Sequence, residues 1–186
     1  IYVPSVKACT SHNLGPGVER DKVLKAPTGT TIADYASLGM QGVRGARDLP
    51  LFKPPYSRIT AIDMNTGEHL WWIPSGETPD RVKNNPAVKG IDVGNTGSGR
   101  HAPLMVTKTL LFYSGDSSDG KPALFAVDKK TGKQVGKVPV PAPGRFGMMT
   151  YVHEGNQFLI LQTGSKLTAM ALPGAIPKKT GYGGGD

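Results

Sequence analysis

Residues 61–71 read Ala-Ile-Asp-Met-Asn-Thr-Gly-Glu-His-Leu-Trp, and residues 126–136 read Ala-Val-Asp-Lys-Lys-Thr-Gly-Lys-Gln-Val-Gly. The two stretches share alanine, aspartate, threonine and glycine at the same places, which identifies an internal repeat. In each copy an alternating apolar run leads into a short connection that ends in glycine. An aspartate that accepts hydrogen bonds from the turn, followed by a glycine suited to positive φ, is typical of a β-hairpin. The sequence therefore predicts a repeated hairpin.

The distance between the two hairpins leaves room for two further strands in each unit. Four-stranded units arrayed side by side are typical of a β-propeller, in which each blade covers its apolar faces against its neighbours. The 25 glycines and 16 prolines favour short strands and loops, and no window keeps a helical apolar period. We therefore expect an all-β fold. Closed propellers have about four to eight blades, so this chain is expected to form an incomplete propeller on its own.

The predicted organisation has four parts. Residues 1–50 hold the end of a preceding blade, with a strand in the first few residues, and then a long irregular loop. Residues 51–141 hold the propeller blade repeats, and residues 142–174 form a last, incomplete blade. Residues 175–186 are a flexible, glycine-rich tail.

The middle and last units differ in their strand patterns. Apolar runs in the middle unit predict one complete blade, with strands at residues 102–107, 110–114, 123–128 and 134–139. The last unit has three such runs, at residues 149–153, 158–162 and 167–172. A fourth strand is expected from outside these residues, because pairing of the last blade with a donated strand removes an exposed edge.

The chain begins with Ile1, inside a strand-like run, rather than with methionine. We therefore expect the C-terminal piece of a longer polypeptide, or one chain of a cut or split protein. The remainder of the propeller, from the same protein or another chain, is then the first expected partner.

The charge distribution, the cysteine content and the hydropathy argue against a nucleic-acid partner, an internal disulfide and a membrane-spanning helix. The formal net charge is +8, but the basic residues are spread thinly and do not interleave with aromatics, as a stacking platform for nucleic acid requires. A nucleic-acid partner is therefore not expected. Cys9 is the single cysteine, so no disulfide forms within the chain. No run approaches the roughly 20 apolar residues of a membrane-spanning helix.

No metal site is predicted within the chain. The histidines share no ligand spacing with one another or with Cys9, as a transition-metal site would require. Residues 116–120, Asp-Ser-Ser-Asp-Gly, resemble a calcium loop but lack the downstream glutamate that completes one. A hairpin turn is expected there.

A longer segment around the first hairpin resembles a known family. Residues 49–63 read Leu-Pro-Leu-Phe-Lys-Pro-Pro-Tyr-Ser-Arg-Ile-Thr-Ala-Ile-Asp and, with Trp71, are similar to the closing region of quinoprotein dehydrogenases, especially the membrane-bound glucose dehydrogenase branch. Further segments agree in order with the same family, at residues 102–107, 110–112, 126–128, 147–151, 158–161 and 169–173.

The resemblance implies an eight-bladed propeller, of which this chain supplies about two C-terminal blades. It implies pyrroloquinoline quinone (PQQ) near the propeller axis beside a divalent cation, usually Ca²⁺, both bound mostly by other segments. It also implies oxidation of a sugar or alcohol, with electrons passing to ubiquinone or cytochrome c. A periplasmic location is expected, with attachment to the inner membrane through an N-terminal segment that this chain lacks.

Catalytic residues are expected elsewhere in the protein. Oxidation by hydride transfer needs a base near the substrate hydroxyl and an electrophilic acceptor. Asp63 and Asp128 are the obvious carboxylates, but each lies in a repeated turn, and repetition once per blade favours a structural role. In the family the catalytic aspartate and the metal ligands lie upstream of the segment that this chain resembles. No catalytic or metal-binding residue is therefore assigned here.

Four residues are candidates for binding the cofactor. In the family the loop that enters the innermost strand of a blade reaches the cofactor, and this position holds Arg100 and His101, where relatives have a tryptophan or glycines. A guanidinium can bind a carboxylate of the quinone, and an imidazole can bond a carbonyl. Gly164 and Ser165 hold the equivalent loop position in the last blade. The alternatives are a solvated loop for the first pair and an ordinary turn for the second.

Trp71 is predicted to dock between blades, and its counterpart in the second copy is Gly136. That second interface is expected to be weaker unless Trp72 or Phe125 fills the gap.

Two rival functions remain open. The same hairpin occurs in noncatalytic propellers, so a scaffold for protein assembly or binding is one alternative. The other is a propeller enzyme that has lost its cofactor, an alternative that the departures at residues 100–101 and 163–165 leave open.

Overall fold

The computed structural model describes residues 1–171, so the predicted tail and the end of the last unit lie outside the described residues. The described part holds twelve strands: β1 (Tyr2–Val6), β2 (Thr10–Pro16), β3 (Tyr35–Gly42), β4 (Ser57–Ile62), β5 (His69–Pro74), β6 (Leu104–Val106), β7 (Leu110–Asp116), β8 (Pro122–Asp128), β9 (Gln134–Pro139), β10 (Gly144–His153), β11 (Asn156–Thr163) and β12 (Lys166–Ala171). It also holds two short α-helices, α1 (Gly17–Leu24) and α2 (Asp80–Lys83), and 3-10 turns at Ala46–Asp48 and Pro86–Val88.

The strands form open antiparallel sheets. The first sheet has the order β1-β4-β5, the second β6-β7-β8-β9 and the third β10-β11-β12, and β2 pairs with β3. The all-β prediction is confirmed, and the open sheets are those of an incomplete β-propeller. All four strands predicted for the middle unit are present as the second sheet. No helix in the described part is both long and apolar enough to cross a membrane.

The structure corrects the prediction for the first strand. The sequence predicts this strand in a preceding blade, but β1 pairs antiparallel with β4, with Tyr2 opposite Ala61 and Val6 opposite Ser57. β1 therefore belongs to the same sheet as the first hairpin. The physical reason is that residues 7–56 form a long connection between two adjacent strands: the chain leaves the sheet after Val6 and re-enters it at Ser57, directly opposite.

The prediction of an irregular loop is also partly wrong, because this connection contains secondary structure. β2 and β3 form an antiparallel pair, with α1 between them. The strands escaped prediction because both faces of β2 are largely exposed, which leaves no apolar alternation to recognise. Buried Asp21 of α1 stabilises the connection to β3 by accepting hydrogen bonds from the backbone N–H of Gly29 at 2.7 Å and of Thr31 at 2.8 Å. The boundaries drawn at residues 50 and 141 stay predictions.

The repeated turns have the predicted chemistry. Asp128 Oδ1 accepts hydrogen bonds from the backbone N–H of Lys130 at 3.0 Å and of Thr131 at 2.9 Å, and from the Thr131 hydroxyl at 2.9 Å. These bonds, that of the hydroxyl first, lower the pKa of Asp128. In the first copy Asp63 Oδ1 accepts from the N–H of Asn65 at 2.8 Å. Both aspartates therefore hold turns, as the repetition predicts.

Two apolar cores lie between the sheets. The core between the first and second sheets contains Ile59, Ala102, Leu111, Tyr113, Ala123, Phe125 and Val127, with Trp71 packed against it. The core between the second and third sheets contains Leu124, Val140 and Leu161, with Met148 and Met170 among the side chains packed on it. Docking of Trp71 between sheets is thus confirmed. Neither substitute expected at the second interface fills it, because Phe125 belongs to the first core and Trp72 is 52% exposed.

Candidate functional site

Loops from all three propeller sheets meet at one end of the molecule. Strands alternate in direction, so the segments that enter β6 and β10 lie at the same end as the turn after β7. We call residues 96–101, 114–119 and 143–146 the rim. The backbone N–H of Glu77, which follows β5, bonds the carbonyl of Asp116 at 2.9 Å, which joins the first sheet to the rim.

The buried Ser57 hydroxyl holds the rim segment before β6. The Ser57 hydroxyl donates to the Ser75 carbonyl at 3.0 Å and accepts from the N–H of Gly99 at 2.9 Å. The N–H of Ser98 donates to the same Ser75 carbonyl at 2.9 Å. Gly97 has φ +71° and lies directly on the Ser57 backbone, so a side chain would be excluded there. These contacts fix the backbone that carries Arg100 and His101.

Arg100 forms an ion pair across the rim. Its Nε lies 2.9 Å from Oδ2 of Asp116, the last residue of β7. The Asp116 side chain is 12% exposed and that of Arg100 is 62% exposed. Burial raises the pKa of Asp116, and the nearby Arg100 guanidinium opposes that rise. Within residues 1–171 the two terminal nitrogens of Arg100 have no acidic partner, so they are available to an anion.

A cavity of 540 Å³ opens beside this ion pair. Its lining comes from three rim segments: Gly99, Arg100, His101, Ser114, Gly115, Asp116, Pro143, Gly144, Arg145 and Phe146. The structure therefore brings the predicted Arg100 and His101 together in one cavity wall. It adds a second guanidinium, Arg145, and the exposed ring of Phe146.

The other predicted pair lies apart from this cavity. Gly164 and Ser165 form the turn between β11 and β12, where Gly164 has φ +63°, and neither residue lines the cavity. The link between the two places is the pairing of Gly144 with Thr163, the residue before the turn. A cofactor role for Gly164 and Ser165 stays a prediction.

Three residues of this site, Asp116, Arg145 and Phe146, are not predicted from the sequence. The sequence predicts a hairpin turn that includes Asp116, and this turn is present, since the N–H of Ser117 donates to the Lys121 carbonyl at 2.8 Å. Arg145 and Phe146 follow a Pro- and Gly-rich connection that carries no motif. Only the arrangement of the strands brings these residues to Arg100.

A second ion pair secures the turn after β7. Glu77 Oε1 lies 2.7 Å from Lys137 Nζ of β9, and Glu77 Oε2 accepts from the N–H of Ser118 at 3.0 Å. Burial alone would raise the pKa of Glu77, but the bonds from Lys137 and Ser118 outweigh it, and the pKa is lowered. The charged carboxylate therefore joins three segments next to the rim.

Metal ligands do not cluster in the part of the chain that the structure describes. No group of three or more histidine, cysteine, aspartate or glutamate side chains lies close enough there to hold an ion. The cavity wall carries two guanidinium groups, an imidazole, a carboxylate and an aromatic ring, from Arg100, Arg145, His101, Asp116 and Phe146.

Comparison with known proteins supports the sequence resemblance. The family model described as "PQQ: Glucose/ethanol/alcohol dehydrogenase, beta-propeller domain" matches residues 6–159. The chain is 32% identical over 138 residues to the glycerol dehydrogenase large subunit of Gluconobacter thailandicus, a match that covers 67% of this chain and 18% of the relative.

Two further relatives align over similar lengths. A probable quinate dehydrogenase (quinone) of Xanthomonas campestris pv. juglandis is 28% identical over 127 residues, or 64% of this chain and 15% of the relative. The quinoprotein glucose dehydrogenase A of Acinetobacter calcoaceticus is 25% identical over 116 residues, or 62% of this chain and 14% of the relative. The matched region thus spans less than a fifth of the length of each of these relatives.

Proposed function

The chain belongs to the PQQ-dependent glucose/ethanol/alcohol dehydrogenase β-propeller family, and we propose that it supplies one wall of the cofactor pocket in a dehydrogenase of sugars or other polyols. The remaining propeller blades, with the catalytic base and the Ca²⁺ ligands, come from other polypeptide. The observation that carries this proposal is the rim cavity, in which Arg100, His101 and Arg145 lie around one space.

The chemistry of the cavity fits the cofactor. PQQ is a planar quinone with three carboxylates, and guanidinium groups are the side chains best suited to bind carboxylates in bidentate fashion. The ion pair to Asp116 engages Nε of Arg100 and leaves its two terminal nitrogens for a carboxylate in this proposal. His101 lies in the same wall and offers a ring nitrogen to a carbonyl. Phe146 offers an aromatic face to a planar ring.

When bound, PQQ supplies the electrophilic carbonyl that accepts the substrate's hydride. In this proposal Arg100 and Arg145 bind the anionic edge of the cofactor, while Asp116 positions Arg100. The named relatives act on glycerol, quinate and glucose, all of which carry several hydroxyl groups. This supports a polyhydroxylated substrate. Electrons would leave to ubiquinone or cytochrome c, and the enzyme would work in the periplasm.

The test uses the full-length protein that contains this chain. It would be reconstituted with PQQ and Ca²⁺, and reduction of an artificial dye would be followed with glycerol, quinate, glucose and ethanol. Dye reduction that depends on PQQ and on a polyol supports the proposal. PQQ binding without turnover of any substrate would contradict the dehydrogenase, and absence of PQQ binding would favour the noncatalytic scaffold.

A further inference from the structure

Another cavity, of 140 Å³, lies beside the rim at the base of the β2–β3 pair. Its basic side chains come from three separate places, since Lys7 follows β1, Arg44 follows β3 and Arg81 lies in α2. Tyr56, directly before β4, forms a further part of the wall. None of the described residues that line this cavity is acidic. We call it the cationic cavity.

Backbone hydrogen bonds hold the walls of the cationic cavity. The N–H of Lys7 donates to the Tyr56 carbonyl at 2.8 Å, and the N–H of Tyr56 donates to the carbonyl of Thr96 in the rim at 2.7 Å. The N–H of Val43 donates to the Cys9 carbonyl at 2.8 Å, which joins the two chain segments at the base of the β2–β3 pair. The cavity is therefore formed by backbone whose positions are already fixed.

The basic groups of this cavity are only partly neutralised. Arg44 forms an ion pair with Asp48, in which Nη1 lies 2.8 Å from Oδ2. The Lys7 ammonium donates to the Lys53 carbonyl at 3.1 Å. Among residues 1–171, neither Lys7 nor Arg81 has an acidic partner. Two positive charges of the cavity are therefore available to an anion.

Tyr56 adds a hydrogen-bond donor to these charges. The residue is 7% exposed, and its hydroxyl has no hydrogen-bond partner in the part of the chain that the structure describes. Burial raises the pKa of this hydroxyl, and the Arg81 guanidinium opposes the rise, so the hydroxyl is protonated at neutral pH and lies near the Arg81 charge. Because buried hydroxyls normally have a partner, this one indicates an acceptor that the described residues do not supply.

The cationic cavity adjoins the rim cavity that we assign to the cofactor. Both cavities have Gly99 in their walls. Arg44 and Arg81 also line a neighbouring cavity of 370 Å³, together with Arg100 and Asp116 of the rim. The acidic residues of that neighbouring cavity do not line the cationic cavity. A molecule bound in the cationic cavity would therefore lie next to the rim.

On the basis of the proposed function, we infer that the cationic cavity binds a carboxylate of the substrate, and that the preferred substrate is a hydroxy acid. A carboxylate only accepts hydrogen bonds, and Lys7, Arg81 and the Tyr56 hydroxyl offer it only donors. The size is suitable, because a protein cavity of about 150 Å³ binds benzene. A cavity of 140 Å³ thus holds a carboxylate and the carbon atoms next to it. The hydroxyl to be oxidised then extends past Gly99 into the rim cavity.

The first test measures binding without turnover, in the full-length protein free of PQQ. Quinate and its methyl ester are the probes, because they share one ring and the same hydroxyl groups and differ in charge. Quinate is expected to give a saturable rise in Tm, since a ligand that binds the folded state stabilises it. The uncharged ester should give a smaller rise or none.

Variants assign this response to the cavity. Arg81→Gln should weaken quinate binding about tenfold, and Tyr56→Phe about fivefold. Tyr56→Phe should keep the fold, because the oxygen that it removes bonds nothing within residues 1–171. Lys83→Gln is the matched control, since it removes a charge from the same helix and Lys83 does not line the cavity. The control should respond to quinate as wild type does.

The second test measures kinetics of the full-length protein loaded with PQQ and Ca²⁺. The KM for quinate should lie about tenfold below that for the methyl ester, because the ester lacks the charge that the cavity binds. Arg81→Gln should raise the KM for quinate, leave the KM for the ester unchanged and have little effect on kcat. This pattern is that of a group that binds ground state and transition state equally.

Equal Tm responses to quinate and its ester in wild type would overturn the inference, as would a quinate response that is unchanged in Arg81→Gln and Tyr56→Phe. Dye reduction with neutral polyols and no preference for the acid would also overturn it, while the proposed function would stand. A quinate response that is lost in Arg81→Gln, without any PQQ-dependent dye reduction, would support the carboxylate site and contradict the dehydrogenase.

Discussion

The Trp71 ring lies directly on Gly132, the glycine of the neighbouring repeat turn. A Cβ at Gly132 would stand 2.8 Å from Cε3 of Trp71 and 3.0 Å from Cγ2 of Ile73. Gly132 also has φ +73°, a conformation that glycine adopts without steric cost. This glycine therefore serves both the turn within its own sheet and the contact with the sheet before it.

Gly132→Ala should accordingly destabilise the protein more than Gly67→Ala does. Gly67 has φ +75° in the equivalent turn, but a Cβ there meets nothing within 4 Å in the described part. The backbone term alone is expected to cost about 1 kcal/mol at each site, and the clash with Trp71 should add about 1–3 kcal/mol at Gly132. Urea unfolding of both variants measures the difference. Equal losses would show that the ring does not press on the turn.

Trp71→Ala should lower the free energy of unfolding by about 3 kcal/mol, because it removes a half-buried ring and leaves a cavity between two sheets. Trp72→Ala is the matched control, since Trp72 is the next residue and is 52% exposed. The control is expected to cost less than about 1 kcal/mol. Chemical denaturation provides both values, and a loss below about 1 kcal/mol for Trp71→Ala would contradict its docking role.

Glu77→Gln should produce a pH-dependent loss of stability. Since the pKa of Glu77 is lowered from its ordinary value of 4.5, the folded state favours the charged form. The stabilisation is therefore present above that value and is lost as the pH falls through the folded-state pKa. We expect wild type to exceed Glu77→Gln in Tm at pH 7, and the gap to close below pH 4.5. Glu68→Gln, in the exposed first turn, is the control, and a gap independent of pH would exclude the ion pair as its cause.

Arg100→Gln should weaken PQQ binding by the full-length protein about tenfold, because it removes a charged hydrogen-bond donor from the cavity wall. Asp116→Asn should have a smaller effect, about two- to fivefold, because Arg100 keeps its charge but loses the partner that orients it. Titration of the apoprotein with PQQ measures both changes. Arg58→Gln, exposed on β4, is the control and should bind as wild type does. Unchanged affinity in Arg100→Gln would remove Arg100 from the site.

Features with local causes could be predicted from the sequence alone. The hairpins follow from Asp128, Thr131 and Gly132, whose hydrogen bonds and φ angle are satisfied within a few residues of the chain. Because the same residue types recur at Asp63, Thr66 and Gly67, the sequence alone predicts both the repeat and the all-β class. The family resemblance depended on the same segments and on their order.

The contacts between distant segments could not be predicted in this way, because they depend on how the sheets pack. The pairing of β1 with β4 depends on backbone hydrogen bonds between residues far apart in sequence, and the side chains of β1 do not indicate which strand it pairs with. The ion pair of Arg100 with Asp116 and the arrival of Arg145 beside it arise because strand order brings separate loops to one end of the sheets. The turns are determined by residues close together in the chain, whereas a site between neighbouring sheets forms only when those sheets pack together.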